Sequence, residues 1–417
     1  MTRDEKMVTS LMGCSHAMSH GFLLIYPAVL LLLQKEFSMD YLKLGIIGNV
    51  MNLCYGLGAL PAGIIYNRLG PKRLYLICFL GSSLVSIVVA LSPTIVLFTT
   101  GLGLLGICGS LYHPLGNAVI TAKVREYGRA LGIHGATGNL GLTTAPFIIG
   151  LIASHFGWRW AYFLIALPGM ALSIGSLFIP MSSRGEPAPH VPVPARSPLL
   201  HNLKRYFSLP LICLYLMNIM INFSFIGSIT FLPTTLAKRT SFTFFSLDQV
   251  ALGGMLSAIV LFMGVFGQYV GGVLAQKPHL ERRLLLVNLY SLPFVLAMSF
   301  TTNLLLLLLG LIFFFLNFFS QPMTNTLLAR HTSEEMRGTA FGIFFFVAFT
   351  VGSSASSFSG WIAQRFGLQW VFLGIGGSVF FMILLSILLL RIRNPGTLSL
   401  PFSPPPPNVG RKRVSEG

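Results

Sequence analysis

Apolar runs long enough to cross a bilayer recur from Met7 to Leu390, and nothing constrains the fold of this chain more. A transmembrane helix needs about 20 predominantly apolar residues. Hydropathy, punctuated by charges and turn residues, places such runs at 7–34, 40–66, 72–92, 94–122, 128–154, 158–181, 207–236, 246–275, 283–302, 303–330, 337–363 and 369–390. Only 9% of the 417 residues are charged and mean hydropathy is +0.76, values that exclude a soluble domain of this size. The expected fold is all-α, with twelve transmembrane helices in two six-helix bundles and no soluble catalytic domain left over. The N-terminal "MTRDEKMVTSLMGCSH" runs on to about Leu33 without a small-residue cleavage site, so it reads as the first membrane helix and not as a signal peptide.

The polar, proline-rich stretch "SSRGEPAPHVPVPARSPLLHNLKR" separates the sixth and seventh runs. It divides the chain into an N-terminal half, 1–181, a linker, 182–206, a C-terminal half, 207–391, and a tail, 392–417, expected to be extended and disordered. With the N-terminus placed in the cytoplasm, 22 Lys and Arg fall on that side and 6 on the other. The positive-inside rule then puts both termini and the linker in the cytoplasm of a multi-pass protein of the cell (inner) membrane. The net charge of +17 is spent on this orientation, so nucleic acid is not an expected partner. Arg411, Lys412 and Arg413 suit anionic headgroups or a bare topological signal equally well. Cys14, Cys54, Cys78, Cys108 and Cys213 lie in apolar runs without paired spacing, as core residues do.

The halves repeat. "HPLGNAVITAKVREYGRALGI" from His113 and "QPMTNTLLARHTSEEMRGTAFGI" from Gln321 both open with a polar residue before proline and keep an asparagine four places on, Asn117 and Asn325. Both reach an arginine, Arg129 and Arg337, sixteen residues after the start. Gly132 to Trp160 and Gly342 to Trp370 then span the same 28 residues and close in "FGWRW" and "FGLQW". Spans 4–6 and 10–12 are copies, an arrangement found in transporters, which hold their ligand near the midplane between the repeats.

The loop "GIIYNRLGPKR" resembles the signature of the major facilitator superfamily, a glycine, three residues, then Asp-Arg-x-Gly-Arg-Lys/Arg, and the resemblance covers about residues 7–390. Gly63, Arg68, Gly70, Lys72 and Arg73 match the pattern, while Asn67 replaces its aspartate. By resemblance these six residues gate the carrier, with the twelve helices forming the major facilitator fold. "GATGNLGLTTAPFIIG" in span 5 is similar to the glycine–proline stretch of the superfamily's exporters, with Ala145 in place of a glycine. "HAMSHGFLLIYPAVLLLLQKEF" and "LYHPLGNA" look most like the bacterial fosmidomycin-resistance-like group. The arginine that many of the superfamily's proton antiporters carry early in span 4 is missing from "FTTGLGLLGICG".

All eleven acidic residues fall in tails, loops or helix ends, so no carboxylate sits at a helix centre. Histidine is the ionisable residue left inside: His16 and His20 in span 1, His113 in span 4 and His134 in span 5. Its unperturbed pKa near ~6.5 suits proton uptake and release, and ionisable residues at membrane depth usually face a cavity. Counting ~1.5 Å per residue brings His16, His20 and His113 to one level. Asn218 and Asn222 of span 7, and Asn317 and Gln321 of span 10, fall in the same layer. Spans 1, 4, 7 and 10 line the cavity in the superfamily. The resemblance therefore implies a substrate site of His20, His113, Asn218, Asn222, Asn317 and Gln321, and a proton-coupling set of His113, His16, His20 and His134. Hydrogen bonding between helices is the competing role for each of them. Asn117 and Asn325, nearer the cytoplasm, suit an inner gate, and Pro114 and Pro322 would loosen the backbone at matching places. Pro27, Pro146 and Pro233 read as ordinary helix kinks, and "FFFLNFF" at 313–319 as packing or lipid-facing surface.

The function expected is secondary active transport of a small molecule by alternating access, as proton-coupled export. Uptake of a small organic acid or nutrient, or a receptor or scaffold on a retired carrier fold, are the alternatives. The expected partners are a small-molecule solute and the lipid bilayer, with the chain a monomer. An enzyme is not expected: "HAMSH" has zinc-protease spacing, but Ala17 stands where the general-base glutamate would be. No phosphate-binding G-x-x-x-x-G-K-[ST] loop occurs, and no metal or other cofactor is expected.

Overall fold

The computed structural model describes residues 1–179, 181, 203–242 and 247–392. The core of the expected linker, 182–202, and the tail from 393 lie outside the described residues, as do the side chains at 63, 67 and 68.

Every regular element among the described residues is helical. The first half comprises α1 (Arg3–Glu36), α2 (Tyr41–Ala90), α3 (Ile95–Ser110), α4 (Tyr112–Lys123), α5 (Tyr127–Phe156) and α6 (Trp158–Ser176). After the short α7 (Leu203–Tyr206) come α8 (Leu209–Arg239), α9 (Gln249–Ala275), α10 (Leu280–Ala297), α11 (Asn303–Arg330), α12 (Glu334–Gly352), α13 (Ser354–Arg365) and α14 (Val371–Ile392). Nine helices among the described residues are long and apolar enough to cross a membrane, counting α3 with α4 and α12 with α13 as single crossings. The first arm of α2, the 19-residue α6 and the 18-residue α10 complete twelve. These form two pseudo-symmetric six-helix bundles, and twelve crossings leave the two ends of the helical array on one side, the termini side.

The acidic residues work at the helix ends. Asp40 and Asp248 cap α2 and α9 through the amides of Lys43 and Ala251, at 2.8 and 2.9 Å. Thr2 and Glu5 form a capping box on α1, and Glu5 also accepts from the Arg125 amide at 2.9 Å, tying the start of α1 to the α4–α5 junction. Such caps satisfy amides that a helix start leaves unbonded.

Spans 2 and 3 are one helix bent at a point. Gly70, at φ 76° and ψ 165°, is the single non-helical residue within α2, and a side chain is disfavoured at that φ. The repeat predicts a looser backbone at both Pro114 and Pro322; before the first, the helical hydrogen bonding is interrupted at Leu111, whose φ of −71° and ψ of −20° stay helical. Pro114 cannot donate to the carbonyl one turn back, and span 4 divides at Leu111 into α3 and α4. α11 runs unbroken through Pro322, whose ring packs where a Cβ on Gly271 would lie. Span 11 divides at Ser353, which no proline signals.

Glycines let the halves approach on the side away from the termini. A Cβ on Gly45 would collide with the Ser356 carbonyl of α13, one on Gly360 with the Tyr41 carbonyl, and one on Gly254 with the Pro146 carbonyl. Backbones packed this closely gain dispersion contacts that lipid cannot match. A void of about 10 Å³ lies there, with Pro27 of α1, Pro146 of α5 and Pro233 of α8 in its wall, so the three kink prolines meet at one point of the interface. Lys238 closes the same side by donating to the Tyr41 hydroxyl at 2.7 Å, while the Tyr41 amide donates to Gln364 Oε1 at 3.1 Å.

Candidate functional site

Toward the termini side the halves part around a cavity of about 610 Å³. No Asp, Glu, Lys or Arg is among its described lining residues. Its two walls differ. The first half supplies His16, His20, His113, Asn52 and Tyr55; the second supplies Asn222, Asn317 and Gln321 set among Phe225, Phe318, Phe341, Phe345, Phe346 and Phe349. A volume within the ~300–1,000 Å³ of small-molecule sites, mostly apolar walls and a few converging polar groups are what a ligand pocket requires.

The histidines form one cluster. The His16 ring centroid lies 5.0 Å from that of His20, 5.1 Å from His113 and 4.2 Å from His134, on which it stacks. His16 and His20 share a face of α1 because they are four residues apart, and α4 places the His113 ring across from them, 5.1 and 5.9 Å away. His16 fits because α5 has no side chain at 138: a Cβ on Gly138 would overlap the His16 ring. One turn on, a Cβ on Gly141 would collide with the backbone of Ala17.

Hydrogen bonds fix two tautomers. A carbonyl only accepts, so His16 Nδ1, 2.8 Å from the His134 carbonyl oxygen, carries a proton and leaves Nε2 with its lone pair. The Tyr112 hydroxyl donates to the Met12 carbonyl, so it accepts from His134 Nε2 at 2.9 Å, leaving Nδ1 of that ring as the atom that takes up a proton. His134 itself is 4% exposed and sits behind His16, outside the cavity lining.

The other expected site residues divide. Asn222, Asn317, Gln321, Pro114 and Asn117 reach the cavity, and Asn317 donates to Ser224 Oγ at 2.9 Å. Asn218 is 1% exposed, lies outside the lining, and donates to the Phe344 carbonyl at 2.9 Å as a tie between α8 and α12. Asn325 also lies outside the lining, and its Oδ1 finds no hydrogen-bond partner among the described residues. Lys72 donates to the Leu177 carbonyl at 2.7 Å, Arg73 is exposed, and the side chains at Gly63, Asn67 and Arg68 lie outside the described residues. Sequence reasoning missed Asn139 of α5 and Gln268 of α9, which line the cavity and bond across the halves at 2.8 Å. It also missed Asn52, Tyr55 and the phenylalanines at 341–349.

The sequence profile of the Major Facilitator Superfamily matches residues 9–357. The chain belongs to the major facilitator superfamily. Among its relatives in this superfamily, the probable L-galactonate transporter of Escherichia coli is 29% identical over 151 residues, 35% of this chain and 32% of that protein. The multidrug efflux pump LfrA of Mycolicibacterium smegmatis is 31% identical over 138 residues, 31% of this chain and 27% of the pump. These matches span about a third or less of either relative. The fold likeness is far longer: a bacterial homologue of the human lysosomal transporter Spinster, in an inward-facing and occupied conformation, superposes with a TM-score of 0.78. That likeness covers 94% of this chain and 98% of the homologue at 15% identity. The protein is therefore a multi-pass membrane protein with the fold of this transporter superfamily.

Proposed function

We propose that this major facilitator protein is a proton-coupled secondary transporter that exports a small neutral or weakly charged amphipathic compound. It works in the cell (inner) membrane as a monomer, by alternating access, with both termini, the linker 182–206 and the tail in the cytoplasm. The observation that carries this reading is the convergence of His16, His20 and His113 on a central cavity with no fixed charge among its described lining residues, opposite Asn222, Asn317 and Gln321. A proton on the histidine wall is then the largest charge in the cavity, and its arrival or departure changes what the cavity binds. Two protonated rings at 5.0 Å would repel, so the cluster suits one proton at a time. The phenylalanine wall takes the apolar body of the solute and the three amides its polar end.

In alternating access, the two halves rock around a fixed site. The glycine contacts and the Lys238–Tyr41 and Tyr41–Gln364 bonds form the outer gate. Asn139 and Gln268 hold the halves beside the cavity. Gly63, Asn67, Arg68, Gly70, Lys72 and Arg73, with Asn117, Asn325, Pro114 and Pro322, serve the inner gate. Uptake of a small organic acid is the second reading, favoured by the likeness to the probable L-galactonate transporter.

The test is proton flux in inside-out vesicles carrying the protein, challenged with a panel of antibiotics, sugars and organic acids. Collapse of the pH gradient by one compound supports proton-coupled export and identifies the solute. Solute movement from the outer face that is indifferent to the gradient would favour uncoupled uptake.

A further inference from the structure

We propose that His16, His20 and His113 form a binding site for one divalent transition-metal ion of the zinc class, held by three imidazole nitrogens with its fourth position open to the cavity. Each residue can offer one ring nitrogen such that all three lie within 4.8 Å of one another. Nitrogens around a tetrahedral Zn²⁺ stand about 3.3 Å apart at Zn–N distances of about 2.0–2.1 Å. Side-chain rotation of about 1 Å into the cavity closes that difference without moving a helix.

Three further observations point to a ligand. His16 donates Nδ1–H to the His134 carbonyl at 2.8 Å, the kind of outer bond that fixes the tautomer of a metal-bound histidine and leaves Nε2 as the ligand. His20 and His113 line the cavity and are half-buried, free to turn onto an ion. Among the described residues no carboxylate belongs to the cluster, and neutral imidazole suits Zn²⁺, Ni²⁺ or Cu²⁺, whereas Mg²⁺ and Ca²⁺ require oxygen ligands. The missing glutamate in "HAMSH" argues against hydrolysis, not against binding, and the third ligand comes from α4, which sequence spacing does not reveal.

A +2 ion held by neutral ligands in a cavity lined by no Asp or Glu among the described residues favours an anionic oxygen at its fourth position. The ion and a coupling proton would compete for the same ring nitrogens, but binding measured in detergent without solute tests the site separately from transport.

The experiment is Zn²⁺ titration of tag-free, full-length protein by calorimetry, with Co²⁺ absorption as a second readout. We expect one ion per chain, affinity reduced at least 100-fold in His20→Gln and in His113→Gln, and no change in His155→Gln, whose ring is exposed. His113→Cys should retain a Co²⁺ site and add a sulfur-to-cobalt charge-transfer band, which a folding defect cannot produce. Zinc binding that survives His20→Gln and His113→Gln, or no stoichiometric binding by the parent, overturns the site.

Discussion

His16 Nδ1 lies 2.8 Å from the main-chain oxygen of His134, and the two rings stack at 4.2 Å. This pairing exists because α1 and α5 cross at Gly138 and Gly141. An alanine at 141 would drive its methyl into the backbone of Ala17. Gly141→Ala is therefore expected to destabilise the protein by about 1–3 kcal/mol, the range for overpacking, and to depress transport by displacing His16. Gly132→Ala, where a Cβ meets nothing within 4 Å, is expected to leave thermal stability in detergent unchanged or slightly raised. Equal melting of parent and Gly141→Ala would show that the two helices cross more loosely than these contacts require.

The outer gate rests on a few polar bonds. Lys238→Met combined with Gln364→Leu removes the bonds at 2.7 and 3.1 Å that span the halves. At about 0.5–1.5 kcal/mol each, their loss shifts the balance toward opening on that side by at least about fivefold. Ile229 lines both the small void at the closed interface and the cavity below it, so in a cysteine-free background a thiol introduced by Ile229→Cys should react several-fold faster with an impermeant maleimide added from that side. An unchanged rate would place the gate elsewhere.

Asn218 and Asn222 stand one turn apart and do different work. Asn218→Ala removes an amide tie to the Phe344 carbonyl, for an expected cost of about 1–2 kcal/mol in stability and little change in KM. Asn222→Ala, at the cavity wall, should raise KM about tenfold, equivalent to about 1.4 kcal/mol, with little change in melting. The opposite split, read from transport kinetics and thermal unfolding, would reverse the two assignments.

The contrast between these asparagines shows what a sequence can disclose. Depth along a helix follows from counting residues, so His16, His20, His113, Asn222, Asn317 and Gln321 can be assigned to one layer by counting alone. Rotation about the helix axis does not follow, because α8 is buried over much of its circumference and no polar face marks the cavity side. Asn218 and Asn222 share a face to within the angular resolution of that reasoning, and only packing against α12 separates them. The phenylalanines at 341–349 join the cavity wall because α12 packs beside α2, a contact that sequence spacing does not show. Asn139 and Gln268 lie 129 residues apart, and their bond forms only when the halves come together. The duplication reveals the layout of the bundles, but it overstates their symmetry: helical hydrogen bonding is interrupted before Pro114, and it runs on through Pro322, which packs against Gly271.

If a proton carried by the cavity histidines drives transport, replacing one of those rings must separate solute movement from the pH gradient. His113→Gln should be compared with the parent in proteoliposomes at equal protein content, measuring pH-driven accumulation and solute exchange without a gradient. The expected result is that His113→Gln loses pH-driven accumulation at least tenfold while exchange persists. Accumulation by His113→Gln equal to that of the parent, with the same dependence on the gradient, would contradict histidine coupling.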